Sequence, residues 1–309
     1  MASGEAEFIE QLRRIATDPA ARELHDDTAV LPLGDETLVI THDMMVEGVH
    51  WLAGTDSADI AWKLVAVNLS DLAAKGAMPL GVVLGFVLAG NNDWDARFAE
   101  GLEAVLGEYG VPLLGGDTVS VPAGKAARTL GLTAFGRATS DPVPARSGAK
   151  AGDRLYVTGT LGDARAGYRL AETGKTGDPA LLAAFHRPIP LLEAGQALAG
   201  QVDAMMDISD GLLLDASRMA AASGLSVTID LEILPLSPAC VAQHGDDAEA
   251  RIAAASWGDD YQLLFALPPD IAPVVTSHCV GHFATGKGLS LRYGGKALAL
   301  PDRLGYQHR

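Results

Sequence analysis

The sequence is poor in cysteine, in basic residues and in long apolar runs, and each shortage removes a class of protein. Only Cys240 and Cys279 occur in 309 residues, in neither a CxxC pair nor a wider framework. The chain is therefore not a disulfide-stapled scaffold, and the two thiols read as ordinary buried groups in a reducing compartment. Lys and Arg number 23 against 39 Asp and Glu, a net charge of −16. That field repels nucleic-acid phosphates and anionic membranes, so neither is an expected partner. The longest apolar run, PLGVVLGFVLAG from Pro79 to Gly90, is broken by glycines and is shorter than the ~20 residues of a membrane span. The opening MASGEAEFIEQLRRIA mixes charges through an amphipathic helical pattern and has no apolar h-region, unlike a secretory signal. A cytoplasmic location is expected.

Internal repetition is missing too. Glycine is abundant, at 35 residues, but scattered at element ends without a period, which excludes solenoid and low-complexity architectures. What remains is an alternation of helical and strand patterns. TLVITHD (37–43), GVVLGFVLA, VPLLGGDT and ARTLGLTAFGRA (127–138) read as strands, and DIAWKLVAVNLSDLAAKG (59–76) and DARFAEGLEAVLGEYG as helices. The Pro-rich TSDPVPARSGAKAGD (139–153) reads as a linker. Beyond it RLYVTG, LSVTIDLE and YQLLFALP read as strands, with helices near 162–173, 189–198 and 209–222. The expectation is two domains, 1–140 and 141–309, of α/β and α+β class.

GKT at Gly174–Thr176 imitates the end of a P-loop. The motif requires a glycine where Arg169 stands and a strand where AGYRLAE looks helical, so an exposed turn is the better reading. The stronger pattern is a series of aspartates read at element ends: Asp26 and Asp27, Asp43, Asp71, Asp117, Asp207 and Asp210. Any one of them alone is an ordinary turn or cap residue. Asn68, Asp71 and Lys75, at i, i+3 and i+7 of one helix, fit a solvated stripe as well as a functional face. If the acids converge, protons or divalent cations must offset their repulsion, and carboxylates without a His or Cys cluster favour Mg²⁺ over zinc. In MMDISDGLLLD, Ser209 is the expected N-cap and Asp210 falls in the first turn, which places free N–H groups for an anion beside a metal held by Asp207 and Asp210.

DDTAVL, THDMMVEGVHW, KLVAVNLSDLAAKGAMP, LLGGDT, RSGAKAGDRLYVTGTLGDARAGY, MDISDGLLLD and WGDDYQLLF occur in an order and spacing that resembles the thiamine-monophosphate kinases. These belong to the superfamily of aminoimidazole ribonucleotide synthetase, and the resemblance runs from about Gly4 to Tyr306. It implies an N-terminal α/β domain whose sheet pairs with that of a second subunit in a homodimer, then an α+β domain. The implied reaction is ATP plus thiamine phosphate giving ADP plus thiamine diphosphate, assisted by several Mg²⁺ ions. Carried over motif by motif, Asp27, Thr41, His42, Asp43, Asp71, Asp117, Asp207 and Asp210 match metal positions. Gly116, Asp117, Arg146 and Ser209 match ATP contacts, and His50, Asp259 and Tyr306 match the thiamine phosphate pocket. Asp207, Asp210 and Arg146 are the expected catalytic core. The chain departs from the family pattern at His25, in place of a glycine, at His42, in place of a small hydroxyl residue, and at Trp257 and Asp259, in place of glycine and glutamate. Two rival readings are another ATP-using enzyme of the superfamily and a non-catalytic thiamine phosphate or nucleotide sensor. Neither the N-terminal reactive Cys expected of selenophosphate synthetase nor the C-terminal Cys of the hydrogenase maturation protein occurs in MASGEAEF or YQHR.

Overall fold

The computed structural model describes residues 4–88, 90–120, 127–175 and 177–307. After a short helix α1 (Gly4–Arg13), the aliphatic runs of the first half become β1 (Ala29–Leu33), β2 (Glu36–Val46), β3 (Ala77–Leu88), β4 (Leu113–Ser120) and β5 (Thr129–Ala138). They join in the order β1-β2-β5-β3-β4, with β3–β4 the parallel pair and the other pairs antiparallel. One face of this sheet is covered by α2 (Ser57–Ala74), against which α3 (Asn92–Tyr109) packs. Asp56 caps α2 by accepting from the Ala58 N–H at 2.9 Å, and Asn91 caps α3 through the Asp93 N–H. Gly110, left-handed at φ 63°, ends α3.

The second half contributes β6 (Arg154–Thr158), β7 (Ala204–Asp207), β8 (Leu225–Asp230), β9 (Leu263–Leu267), β10 (Ser277–Thr285), β11 (Gly288–Tyr293) and β12 (Lys296–Leu298). This sheet runs β12-β11-β8-β10-β6-β9-β7, with the β8–β11 pair parallel. Its helices are α4 (Asp163–Thr173), α5 (Pro179–His186), α6 (Leu192–Leu198), α7 (Leu212–Ala222), α8 (Pro238–His244) and α9 (Ala248–Ala255). Helix α7 lies on the sheet and fills the core with Leu213, Ala216 and Met219 against Val227 and Ile229. Seven strands, β2 to β6, β8 and β9, were legible in the sequence, but the apolar β1 and β7 were not. β10 to β12, built on His, Gly, Lys and Ser as much as on aliphatics, were not.

Helix α2 is the spine of the molecule. Every one of its residues except Asp59 and Trp62 is buried, which explains why its sequence is apolar on most faces rather than striped. Its front packs on the first sheet; its last turn, Ala73 and Ala74, shares a core with Met205, Leu198, Leu263 and Phe265 of the second half. Each wholly buried Leu, Ile or Val there contributes about 1.5–3 kcal/mol. The reading of Asn68, Asp71 and Lys75 as a solvated stripe is thereby excluded, since all three are buried.

The Pro-rich 139–153 segment is no free tether either. The Thr139 hydroxyl donates to the Gly76 carbonyl at 2.6 Å, the Val143 and Pro144 carbonyls accept from Arg22, and the Met205 N–H donates to Ala145. Its composition marks an irregular backbone; its hydrogen bonds clamp the two halves together. Among the described residues no helix is long and apolar enough to cross a membrane.

A tight seam lies between α2 and α6, where Gly195 is so close to Ala73 that an added Cβ would sit 1.9 Å from its carbonyl oxygen. Gly195→Ala is expected to lower unfolding stability by about 1–3 kcal/mol through overpacking. Urea denaturation followed by circular dichroism reads this directly, and an unchanged midpoint would contradict the seam.

Candidate active site

Three carboxylates reach one point from three elements. Asp27 stands in the loop before β1, Asp71 in the last turns of α2 and Asp207 at the end of β7, with one oxygen of each within 4.8 Å of the others. At that spacing each pair of charges repels by on the order of 3–4 kcal/mol at an effective dielectric of ~20. The fold answers with unequal environments. Burial opposes charge on Asp27, yet the Arg146 guanidinium on one oxygen and the Lys75 ammonium, 3.2 Å from the other, hold its carboxyl well below the usual range. Asp207 is 1 % exposed, and burial, reinforced by the charge on Asp27, pushes it up to about 8. Asp71 is likewise raised well above the usual range by burial and by Asp43, Asp207 and Asp27, against a hydrogen bond from the Thr41 hydroxyl.

The immediate surroundings follow from strand and helix periodicity. Along β2, Val39, Thr41 and Met45 are buried toward α2, whereas His42 and Met44 are exposed on the opposite side. The strand places Asp43 with Thr41, and the Asp43 N–H donates to Asn68 Oδ1 at 3.0 Å. Desolvation, then the charges of Asp27 and Asp210, lifts Asp43 to about 6. The His42 ring instead meets the Thr133 hydroxyl at 2.9 Å across the sheet. Its side chain therefore does not face the acid cluster. Ser70, one residue before Asp71, donates to Asp207 Oδ2 at 2.6 Å, leaving Asp207 Oδ1 buried with no partner. An orphaned buried carboxylate oxygen requires a proton or a cation.

Ser209 and Asp210 differ from the sequence expectation. Helix α7 begins at Leu212 after Gly211, and no side chain caps it from the N-terminal side. The carboxylate of Asp215 reaches back instead, accepting from the Asp210 and Gly211 N–H groups at 3.1 Å each. Ser209 is therefore not the N-cap and Asp210 lies outside the first turn, because a carboxylate already inside the helix satisfies those donors. Arg218, one turn further, donates to Asp210 at 2.5 Å and to Asp215 at 3.0 Å. Burial outweighs that cation and leaves Asp215 at about 7. Asp43, Asp71 and Asp117 also depart from expectation, since they stand inside elements rather than at their ends.

The other expected residues divide into two places. Asp259 accepts from the buried Lys63 ammonium at 2.9 Å and from the Tyr261 hydroxyl at 3.1 Å, and its N–H donates to the Ser209 carbonyl. Lys63 also donates to the His50 carbonyl and lies 4.3 Å from the Phe185 ring centroid. Trp257 packs on Tyr168 with ring centroids 5.0 Å apart, and the Tyr306 N–H donates to the Asp210 carbonyl. His50, Lys63, Phe185 and His186 line a crevice too narrow to admit a water molecule, which the Lys63–Asp259 ion pair adjoins. Gly116 and Asp117 lie on β4, whose residues are all exposed, and Asp117 is not one of the three converging carboxylates. Gly116 has a structural reason of its own: a Cβ would fall 2.2 Å from the Leu84 carbonyl oxygen. The turn at Gly174 follows α4, as expected, and Thr176 lies outside the described residues.

Sequence reasoning missed Lys63, Ser70, Lys75, Asp215 and Arg218 as members of the site. The available signal for the first three was polar side chains embedded in a helix otherwise apolar on most faces, each of which must find a partner.

A two-domain α/β chain with an acid cluster at the seam and no P-loop defines a class, and family comparison agrees. Residues 25–138 match the AIR synthase related protein N-terminal domain and residues 150–275 the corresponding C-terminal domain. A thiamine-monophosphate kinase of Caulobacter vibrioides is 40% identical over 98% of this chain and 90% of its own. That of Escherichia coli K12 is 35% identical over 100% and 99%. The solved structure of AaThiL complexed with AMPPCP and TMP superposes with a TM-score of 0.87 at 28% identity, covering 99% of each chain. The chain belongs to the thiamine-monophosphate kinase family.

The raised acids dictate a pH dependence. A carboxyl whose folded pKa exceeds its ordinary 3.8 binds more protons folded than unfolded between the two values, so stability falls as pH rises through that window. Asp43 near 6, Asp215 near 7 and Asp207 near 8 extend the window to about pH 8. In chelator the thermal midpoint should fall between about pH 5 and 8. Asp207→Asn should flatten that fall, and a divalent cation should reverse it. A midpoint rising over the same range would refute the assignment.

Proposed function

We propose that the chain transfers the γ-phosphoryl group of ATP to thiamine monophosphate, giving thiamine diphosphate, at the cluster of Asp27, Asp71 and Asp207. The observation that carries the reading is the convergence of these acids with Asp207 Oδ1 buried and unpartnered. Hard oxygen donors fit Mg²⁺, with Asp43, Asp210, Thr41 and the His42 backbone around them as further oxygen donors. When bound, Mg²⁺ neutralises the phosphate charges that must approach one another for transfer.

The protein's own groups then have distinct tasks. The acceptor is a phosphate oxygen, already ionised near neutral pH, so no strong general base is needed. Asp27 stays ionised because Arg146 and Lys75 pin it. Among the described residues Arg146 Nε has no hydrogen-bond partner, and its fixed charge is assigned to the phosphates. Ser209, Gly116 and Asp117 are assigned to the nucleotide. His50, Asp259 and Tyr306 are assigned to thiamine phosphate, beside the crevice at Phe185. Lys63 keeps the Asp259 carboxylate aimed despite a left-handed backbone at φ 66°. Transfer is direct and in line, and single-turnover reaction with labelled ATP should leave no phosphoprotein.

The first sheet supports a homodimer as the working unit. Its bare side exposes apolar residues, among them Met44 at 54 % and Leu114 at 58 %, a surface that a second sheet would cover. Sedimentation should give twice the chain mass, and Met44→Glu should reduce it to that of one chain.

The decisive assay incubates the protein with ATP and Mg²⁺ and with thiamine monophosphate, thiamine or formylglycinamidine ribonucleotide. ADP and thiamine diphosphate should form with the first acceptor. Turnover on the third would point to another enzyme of the superfamily, and binding without turnover to a sensor. Asp207→Asn should lower kcat at least about tenfold, or about 1.4 kcal/mol, with the fold intact. Near wild-type turnover would remove Asp207 from the site.

A further inference from the structure

Among the largest wholly buried side chains of the described residues, all the others hydrophobic, is Lys75, at the C-cap of α2. Its ammonium is 2.5 Å from Asp26 Oδ1, 3.2 Å from Asp27 Oδ2 and 3.4 Å from the Met205 carbonyl. The other oxygen of Asp26 takes Arg22, which is itself tied to the Val143 and Pro144 carbonyls, and the other oxygen of Asp27 takes Arg146. Charges therefore alternate from Arg22 through Asp26, Lys75 and Asp27 to Arg146. A buried ammonium needs a partner, and Asp26 already supplies one. The second contact falls on Asp27, one of the three carboxylates that converge.

Neutralisation is consequently lopsided. Asp27 has a cation on each oxygen, whereas Asp207 keeps an oxygen without any partner. A divalent cation arriving alone would meet an Asp27 whose charge is offset and two fixed positive groups beside it. One arriving with polyphosphate would bring its own counter-charge. We propose that Lys75 is a built-in counter-ion of the acid cluster: it holds Asp27 in place before metal binds and, by competing for that carboxylate, keeps the affinity for a bare divalent cation low. This rests on the metal reading above. Lys75 is a positioning residue, acting on the site only through Asp27.

Mn²⁺ titration of the full chain without nucleotide, with free Mn²⁺ read by electron paramagnetic resonance, separates this from a purely structural pin. Lys75→Gln keeps hydrogen-bonding capacity and removes the charge; it should bind Mn²⁺ at least about tenfold more tightly than wild type. Lys75→Arg keeps the charge and should stay within about threefold of wild type. The thermal midpoint of Lys75→Gln should fall more in chelator than in saturating Mn²⁺. Unchanged or weaker Mn²⁺ affinity in folded Lys75→Gln overturns the inference. So does a Lys75→Gln chain that stays unfolded in saturating Mn²⁺ while Lys75→Arg folds, since a solvent cation would then be unable to replace the lysine. Failure of both wild type and Lys75→Gln to bind Mn²⁺ would instead overturn the metal reading, and this inference with it.

Discussion

Mutual repulsion among carboxylates crowded into one seam is the constraint on which the rest of the structure depends. Asp27, Asp71 and Asp207 are close enough that they cannot all be charged without compensation. The fold meets this unevenly. Arg146 and Lys75 keep Asp27 ionised, Arg218 serves Asp210 and Asp215, and Asp71 and Asp207 are left to burial and to hydroxyl donors from Thr41 and Ser70. An acid site with one firmly charged member and others poised to lose protons is suited to taking up a cation and its phosphates. It is poorly suited to general-base chemistry, which a phosphate acceptor does not require.

Such a site needs rigid walls, because several kcal/mol of repulsion would otherwise push the two domains apart. Helix α2 supplies the rigidity by being buried on nearly every side, with its first turns in one core and its last in another. The closeness of Gly195 to Ala73, the hydrogen bonds from Arg22 to the Val143 and Pro144 carbonyls and the Lys63–Asp259 ion pair all cross the same seam. Lys63 and Lys75 lie near opposite ends of that helix. The first fixes the crevice beside Asp259 and the second the acid cluster, so one helix sets the distance between them.

Relatives named thiamine-monophosphate kinase match the chain over nearly its whole length. Three of the departures read from the sequence, His42, Trp257 and Asp259, have local partners in the fold. The His42 side chain points across the sheet away from the cluster, and Trp257 finds a ring partner in Tyr168. Asp259, a shorter acid than the family pattern, is braced by both Lys63 and Tyr261.

Composition and pattern carried the two-domain α/β architecture, while the family came from the resemblance of the quoted motifs. The acidic balance, the aspartates spread over several elements and the aliphatic runs of β2, β3, β5, β6, β8 and β9 are local properties, and local properties survive in a linear string. The same reasoning failed wherever a group's role depends on what lies across a seam. Ser209 matched every local rule for an N-cap, but the donors it would have served were taken by Asp215 from inside the helix. Asp71 and Lys75 fitted a solvated stripe until the second domain closed over α2. Which acids converge, which are neutralised and which are left without a partner is decided by long-range electrostatics and desolvation between segments far apart in the chain, and only the tertiary structure brings those segments together.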